Sequence, residues 1–342
     1  MRTSNPSSRA AAKAPPTIAI VVPCYNEEEV LPETRRRMGG LLDDLITKKQ
    51  ISEDSAITFV DDGSRDKTWQ MIEVFTHETR RICGIKLSRN RGHQNALLAG
   101  LFTAEGDAVI SIDADLQDDI EAIREMIQKF REGADIVFGV RKRRTTDTFF
   151  KRATARLFYR LMNSLGAESI PDHADYRLMS RRAIESLKQY REVNLYLRGI
   201  IPLIGFRSEI VYYDRAQRLA GESKYPLRKM ISLALTAITS FSIVPLRLIT
   251  FPGFVVFAIS LLVSLWVVWT RFFSHAAVPG WASIVLPMYF LSGIQILSIG
   301  IIGEYLGKAY AETKARPRYF IEKVARRAEK RAVRTEKNAA KG

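Results

Sequence analysis

Asp113-Ala114-Asp115-Leu116-Gln117 packs two carboxylates and an amide oxygen into five residues, directly after the apolar run Ala108–Ile112. Hard divalent cations take oxygen ligands, and Mg2+ or Mn2+ is commonly held by one or two carboxylates together with substrate phosphates. The segment therefore suits a metal clamp for a diphosphate. It equally suits an Asx-type turn capping a helix that begins near Asp118. Two further acidic clusters follow apolar runs in the same way: Glu27-Glu28 after Thr17–Pro23, and Asp61-Asp62 after Ala56–Val60. Taken alone, Glu27 and Glu28 also read as acids favoured at a helix N-terminus.

The elements that must hold these clusters alternate. Thr17–Pro23, Ala56–Val60, Ile82–Leu87, Ala108–Ile112 and Asp135–Val140 read as short buried strands. Glu28–Lys48, Lys67–Thr79, Gln94–Thr103 and Ile120–Arg131 read as helices between them. Such alternation predicts an α/β domain with a doubly wound, mostly parallel sheet. Ligands of these sheets bind beyond the carboxyl ends of the strands, and each acidic cluster sits at one such end.

The 342 residues hold 52 Lys+Arg against 37 Asp+Glu, a net charge of +15. An apolar content of 46% excludes wholesale disorder. Two cysteines, Cys24 and Cys83, exclude a disulfide framework or a Cys-rich zinc module, and four scattered histidines do not make a multi-His metal site. Leu248–Thr270 and Phe272–Gly303 carry no Asp, Glu, Lys or Arg, and about 20 apolar residues span a bilayer. Transmembrane helices are expected near Leu248–Thr270 and Ala282–Gly303, with Trp266, Trp269 and Trp281 as an interfacial belt. Lys308–Gly342 carries 12 Lys+Arg against 4 Glu, which predicts a cytoplasmic tail and, with two spans, a cytoplasmic N-terminal domain. The expected organisation is a disordered lead over 1–16, a catalytic domain over 17–226, an interfacial amphipathic helix over 227–246, two spans over 247–306 and a basic tail over 307–342. Within the tail a helix is expected over Ile321–Lys337, either on anionic lipid or solvated. Arg152, Arg156 and Arg160 line one face of a further basic helix within Arg141–Arg160, suited to headgroups or to solvent. No recognised nucleic-acid-binding motif accompanies the basic excess.

In order along the chain stand Val22-Pro23-Cys24-Tyr25-Asn26-Glu27-Glu28, Val60-Asp61-Asp62-Gly63-Ser64-Arg65-Asp66, Ser88-Arg89-Asn90-Arg91-Gly92-His93-Gln94, the Asp113–Gln117 segment, Phe138-Gly139-Val140-Arg141, Asp175-Tyr176-Arg177-Leu178-Met179 and Arg218-Leu219-Ala220-Gly221-Glu222-Ser223-Lys224-Tyr225. This series resembles the family 2 glycosyltransferases of GT-A fold over roughly residues 17–247. With two C-terminal spans it resembles the bacterial polyisoprenyl-phosphate (bactoprenol) glycosyltransferases, related to the dolichyl-phosphate mannose synthases.

The resemblance implies a role for each matching residue. Pro23, Tyr25 and Glu27 would line a nucleoside pocket, where a tyrosine can stack on a base and a carboxylate can accept from hydroxyl or N–H groups. Asp62 would contact the base or ribose. Asp115 and Gln117 would hold Mg2+ or Mn2+, with Asp113 and Ala114 beside the metal or donor sugar. Arg141, Arg177, Arg218 and Lys224 would serve the donor and acceptor phosphates. Asp175 matches the general base. A phosphate monoester has a second pKa near 6, however, so Asp175 is equally suited to orienting Arg177 or the acceptor, or to a structural Asp–Arg pair. The expected activity is an inverting transfer of glucose from UDP-glucose to undecaprenyl phosphate at the cytoplasmic face of the inner membrane, by a multi-pass protein whose homo-oligomerisation stays open. Two rivals are a processive polysaccharide synthase and a non-catalytic nucleotide-sugar-binding scaffold. The absence of a Gln-x-x-Arg-Trp motif weighs against the first, and the intact Asp-x-Asp-x-Gln against the second.

Overall fold

The structure is a computed structural model that describes residues 14–142, 173–192, 197–214 and 281–327, together with Val255, Ala258 and Leu262. Strand β1 (Ile18–Cys24) is buried at every position, as a parallel strand covered on both faces must be. Its side chains alternate between two cores. Ile18, Ile20 and Val22 pack with α1 (Leu31–Thr47), α2 (Thr68–Glu78) and α4 (Ala122–Arg131). Ala19 and Val21 pack with α3 (His93–Thr103), α5 (Arg181–Leu187) and α6 (Leu197–Leu203). Helix α1 shows why it docks: Leu31, Thr34, Met38, Leu41, Leu42 and Leu45 are buried at three- and four-residue spacing, and Pro32 occupies its first turn.

The remaining strands are β2 (Ala56–Asp61), β3 (Ile82–Leu87), β4 (Ala108–Ser111), β5 (Ile136–Arg141), β6 (His173–Ser180), β7 (Ser208–Tyr213) and β8 (Ile321–Arg326). They form one sheet in the order β7-β5-β6-β4-β1-β2-β3-β8. The expected α/β class and its first five strands are present. Strand β6 lies antiparallel between β4 and β5, so its beginning, and not its end, meets the carboxyl edge of the parallel strands.

The tail departs from expectation. Ile321–Arg326 is a strand, not the start of a helix, and it pairs antiparallel with β3. Ion pairs Lys86–Glu322 at 2.9 Å and Lys323–Glu73 at 2.6 Å flank the ladder. The basic residues of Ile321–Lys337 favour a surface helix when read alone, but β3 ends the parallel run with an unpaired edge, and pairing satisfies its backbone groups. Helix α7 (Trp281–Thr313) runs 33 residues and exposes Ile284, Met288, Ile296, Ile299, Ile302 and Leu306. Among the described residues no helix is long and apolar enough to cross a membrane, so α7 stands as a long helix and not as an observed span. The expected first span and the interfacial helix lie outside the described residues, apart from the three isolated positions. So do most of the Arg141–Arg160 segment and the remainder of the tail.

Candidate active site

The acidic clusters meet at one edge of the sheet. The loop after β1 and the loop after β2 are laced together. Asn26 N–H donates to Ser64 Oγ at 3.0 Å, Arg65 N–H to Asn26 Oδ1 at 2.9 Å, Glu27 N–H to Thr68 Oγ1 at 2.9 Å and Lys67 N–H to Glu28 Oε2 at 3.0 Å. Pro23 is buried in β1 opposite Val60, whereas Tyr25 is exposed and Glu27 half-buried at the mouth. Asp62, expected at the base or ribose, is almost fully buried. Its two carboxylate oxygens accept the backbone N–H of Arg91 at 2.7 Å and of Gly92 at 2.9 Å. Burial pushes its carboxyl up in spite of these bonds. In this geometry Asp62 ties the loop after β3 to the loop after β2. Gly63, at φ +70°, allows the close approach, because a Cβ there would stand 2.6 Å from the Asn90 backbone nitrogen.

The Asp113–Gln117 turn follows β4. Ala114 is buried, and its carbonyl accepts the Thr34 hydroxyl of α1 at 2.8 Å. Asp115 Oδ1 accepts the Gln117 N–H at 3.1 Å, and Leu116 adopts φ 53°, a strained value for a branched residue. The Asx turn is thus present, and the carboxylates it arranges remain oxygen donors of the kind a hard cation takes. Among the described residues no group of three His, Cys, Asp or Glu side chains could hold a metal unaided. A carboxylate and an amide oxygen beside a diphosphate nonetheless fit Mg2+ or Mn2+, which share their shell with substrate. Asp113 is paired with His93, Nε2 to Oδ1 at 2.9 Å. Burial opposes protonation of His93, but the hydrogen bond and charge of Asp113 outweigh it and raise the imidazole.

The basic residues divide. Arg141, at the end of β5, donates to Asp118 Oδ1 at 3.2 Å and to the Tyr213 hydroxyl at 3.2 Å, while that hydroxyl donates to Asp118 at 2.6 Å. Asp118 is buried next to the turn; desolvation raises its carboxyl, against the pull of Tyr213 and Arg141. Arg218 and Lys224 lie outside the described residues. Arg177, on β6, is fully buried and pairs with Asp175. The β4–β6 register sets Ser111 opposite Arg177. Continued by two residues it brings Asp175 level with Asp113, and the Ser111 hydroxyl donates to the Asp175 carbonyl at 2.6 Å. A second arginine, Arg198 of α6, reaches Asp175 Oδ2 at 3.1 Å. Burial works to raise the Asp175 carboxyl, but the charges of Arg177 and Arg198 and the Arg198 hydrogen bond hold it well below the usual carboxylate range.

Tyr213 and Arg198 carry no signal in the sequence, since they are reached only through the pairing of β5 with β7 and the packing of α6, and Asp118, next to the Asp113–Gln117 turn, reads there only as a helix start. His93 belongs to the Ser88–Gln94 motif, but its partner Asp113 is twenty residues away.

The chain is similar to known proteins over most of its length. A model of the glycosyl transferase family 2 matches residues 19–188. The chain is 52% identical over 309 residues to an uncharacterized glycosyltransferase of Bacillus subtilis (strain 168), covering 90% of this chain and 91% of the relative. It is 40% identical over 311 residues to a prophage bactoprenol glucosyl transferase homolog of Escherichia coli (strain K12), covering 90% and 99%. The bactoprenol glucosyl transferase of Shigella phage SfII is 40% identical, with 90% and 97% covered. Among solved structures, a mannosyltransferase from Pyrobaculum calidifontis in complex with GDP-Man and Mn2+ aligns with 66% of this chain and 63% of its own, at 18% identity and a TM-score of 0.46.

Proposed function

We infer the reaction from one premise: the chain belongs to glycosyl transferase family 2 and is a glycosyltransferase. It transfers glucose from UDP-glucose to undecaprenyl phosphate with inversion at the anomeric carbon. The observation that carries the reading is the convergence of an exposed tyrosine and a half-buried carboxylate (Tyr25, Glu27), an oxygen-rich turn (Asp113, Asp115, Gln117) and a cationic group (Arg141) at one sheet edge. Identity of 40% over nearly the full length of relatives named bactoprenol glucosyl transferases supports glucose and a polyprenyl phosphate.

Each residue then has a task. Tyr25 stacks on the base, and Glu27 accepts from the ribose or base. Asp115 and Gln117 would hold Mg2+ or Mn2+, which when bound neutralises the charge of the departing diphosphate. Asp113 lies against the donor sugar, with His93 fixing its orientation. Arg141, locked by Asp118 and Tyr213, meets phosphate oxygens at no further conformational cost, and Arg218 and Lys224 serve the same phosphates. The acceptor phosphate oxygen forms the new bond to the anomeric carbon as the bond to the diphosphate breaks, and UDP leaves.

The acceptor is a lipid, so the enzyme is anchored at the membrane, with its sheet on the cytoplasmic side. The uncharged runs Leu248–Thr270 and Phe272–Gly303 and the exposed apolar residues of α7 support this. The sheet limits the number of crossings: β7 and β8 belong to one sheet, so the segment between them can cross a bilayer only an even number of times, two on this reading. Membranes carrying the protein, incubated with undecaprenyl phosphate, Mg2+ and a panel of radiolabelled nucleotide sugars, should yield organic-extractable label from UDP-glucose. No lipid-phase label with any sugar would overturn the reading.

A further inference from the structure

Asp175 sits in a cage of two guanidinium groups. Its side chain is 10% exposed, and both oxygens are engaged. Oδ1 accepts from Arg177 Nη2 and, at 3.4 Å, from Arg198 Nε; Oδ2 accepts from Arg198 Nη2 at 3.1 Å. A carboxylate that faces two cations with both oxygens holds a proton weakly, which is the opposite of what a general base needs. The two arginines differ in access. Arg177 is sealed in the sheet, with Nε and Nη1 buried and without a hydrogen-bond partner among the described residues. The Arg198 side chain is 38% exposed, so the net positive charge of the trio faces outward through Arg198. The trio stands beside the Asp113–Gln117 turn: Asp113 acts electrostatically on Arg177, and His93, hydrogen-bonded to Asp113, feels both Asp175 and Arg198.

The chemistry of a phosphate acceptor asks for this arrangement. A phosphate monoester near neutral pH is largely dianionic and already nucleophilic. It needs no proton removed, but it must approach a diphosphate of the same sign, which only a fixed cation makes favourable. The donor diphosphate has the Asp113–Gln117 turn and Arg141 on the β4 and β5 side. Arg198 comes from α6, on the α3 face of the sheet.

We propose that Arg198 binds the phosphate of the acceptor, and that Asp175 is a positioning residue that holds Arg198 in place and takes no proton. The proposal rests on the reading that the chain transfers a sugar to a polyprenyl phosphate.

The test uses the full-length protein in detergent, with UDP-glucose and undecaprenyl phosphate varied separately. Arg198→Gln should raise KM for undecaprenyl phosphate at least tenfold and leave KM for UDP-glucose within twofold. Arg198→Lys, which keeps the charge, should recover part of the loss. Asp175→Asn should mimic Arg198→Gln in KM and leave the acidic limb of the kcat pH profile where the unmodified protein has it. Titration with farnesyl phosphate, followed by tryptophan fluorescence without donor, should show the same loss of affinity in Arg198→Gln. A rise in KM for UDP-glucose instead would overturn the proposal, as would unchanged acceptor KM and farnesyl phosphate affinity. So would an Asp175→Asn variant that loses kcat at constant KM along with the acidic limb. If Asp175→Asn does not fold, the Arg198 pair decides alone. Absence of lipid product from the unmodified protein, with farnesyl phosphate still bound through Arg198, would refute the proposed reaction and not this assignment.

Discussion

Gly63 is the point where two site-forming loops touch, and replacing it with alanine has two separable costs. The first is conformational: at φ +70°, a left-handed non-glycine residue costs about 1–2 kcal/mol. The second is steric. The new Cβ would lie 2.6 Å from Asn90 N and 2.7 Å from Arg89 C, both backbone atoms. Relief requires moving the loop after β3 by several tenths of an ångström, at about 1–3 kcal/mol for an overpacked contact. Gly205 separates the terms, because it has φ +73° and nothing closer than 3.9 Å to the place a Cβ would take. Gly205→Ala should therefore show the first cost alone, and Gly63→Ala both, about 2–5 kcal/mol in all. At about 2–4 °C per kcal/mol for a domain of this size, Gly63→Ala should lower the unfolding midpoint by roughly 5–20 °C. The displaced loop also carries the Arg91 and Gly92 amides that Asp62 holds, so KM for the nucleotide sugar should rise. Differential scanning fluorimetry of both variants, with initial rates at varied donor, measures these effects. Equal midpoints for the two variants would refute the steric reasoning, and an unchanged donor KM in Gly63→Ala would refute the role given to Asp62.

Three further outcomes are expected. Asp115→Asn should lower transfer by at least about 100-fold and shift the Mg2+ or Mn2+ concentration needed for half-maximal rate upward; unchanged turnover would remove Asp115 from the metal. Gly40→Ala, exposed in α1 with nothing within 4 Å of the added carbon, should stabilise the protein by about 0.5–1 kcal/mol through helix propensity, seen as a raised unfolding midpoint. Lys323→Ala removes the partner that holds Glu73 below its ordinary pKa of 4.5. A lowered folded-state carboxyl contributes stability above the unfolded value and loses it as pH falls through the folded value. The substitution should therefore cost about 0.2–1 kcal/mol at pH 7, the range of exposed ion pairs, and progressively less as pH falls below the ordinary carboxylate range. Hydrogen exchange in β8 across that pH range reads the difference.

What the chain reveals before folding follows the reach of its interactions. Strands β1 to β5 are apolar runs buried on both faces, α1, α2 and α4 carry their own periodicity, and α3 is a short apolar run buried all round, so each is legible locally and so is the acidic edge they create. The Asp-x-Asp-x-Gln turn is legible for the same reason: its chemistry lies within five residues. Strand β6 is different. His-Ala-Asp-Tyr-Arg-Leu-Met-Ser puts two charged residues on one buried face, which does not mark a strand until Asp175 is seen paired with Arg177 and Arg198. Strand β8 hides in a basic tail because its partner, β3, lies more than 230 residues upstream. In both strands the charges stop arguing against burial or pairing once the opposite charge arrives from elsewhere in the chain: Arg198 for Asp175, Glu73 for Lys323. The same exchange explains the site. The carboxylates the sequence displays are donors in waiting, but the residues that set their orientation — His93, Arg198, Tyr213 — come from other strands and helices, so the parts of the chemistry are local and their geometry is not.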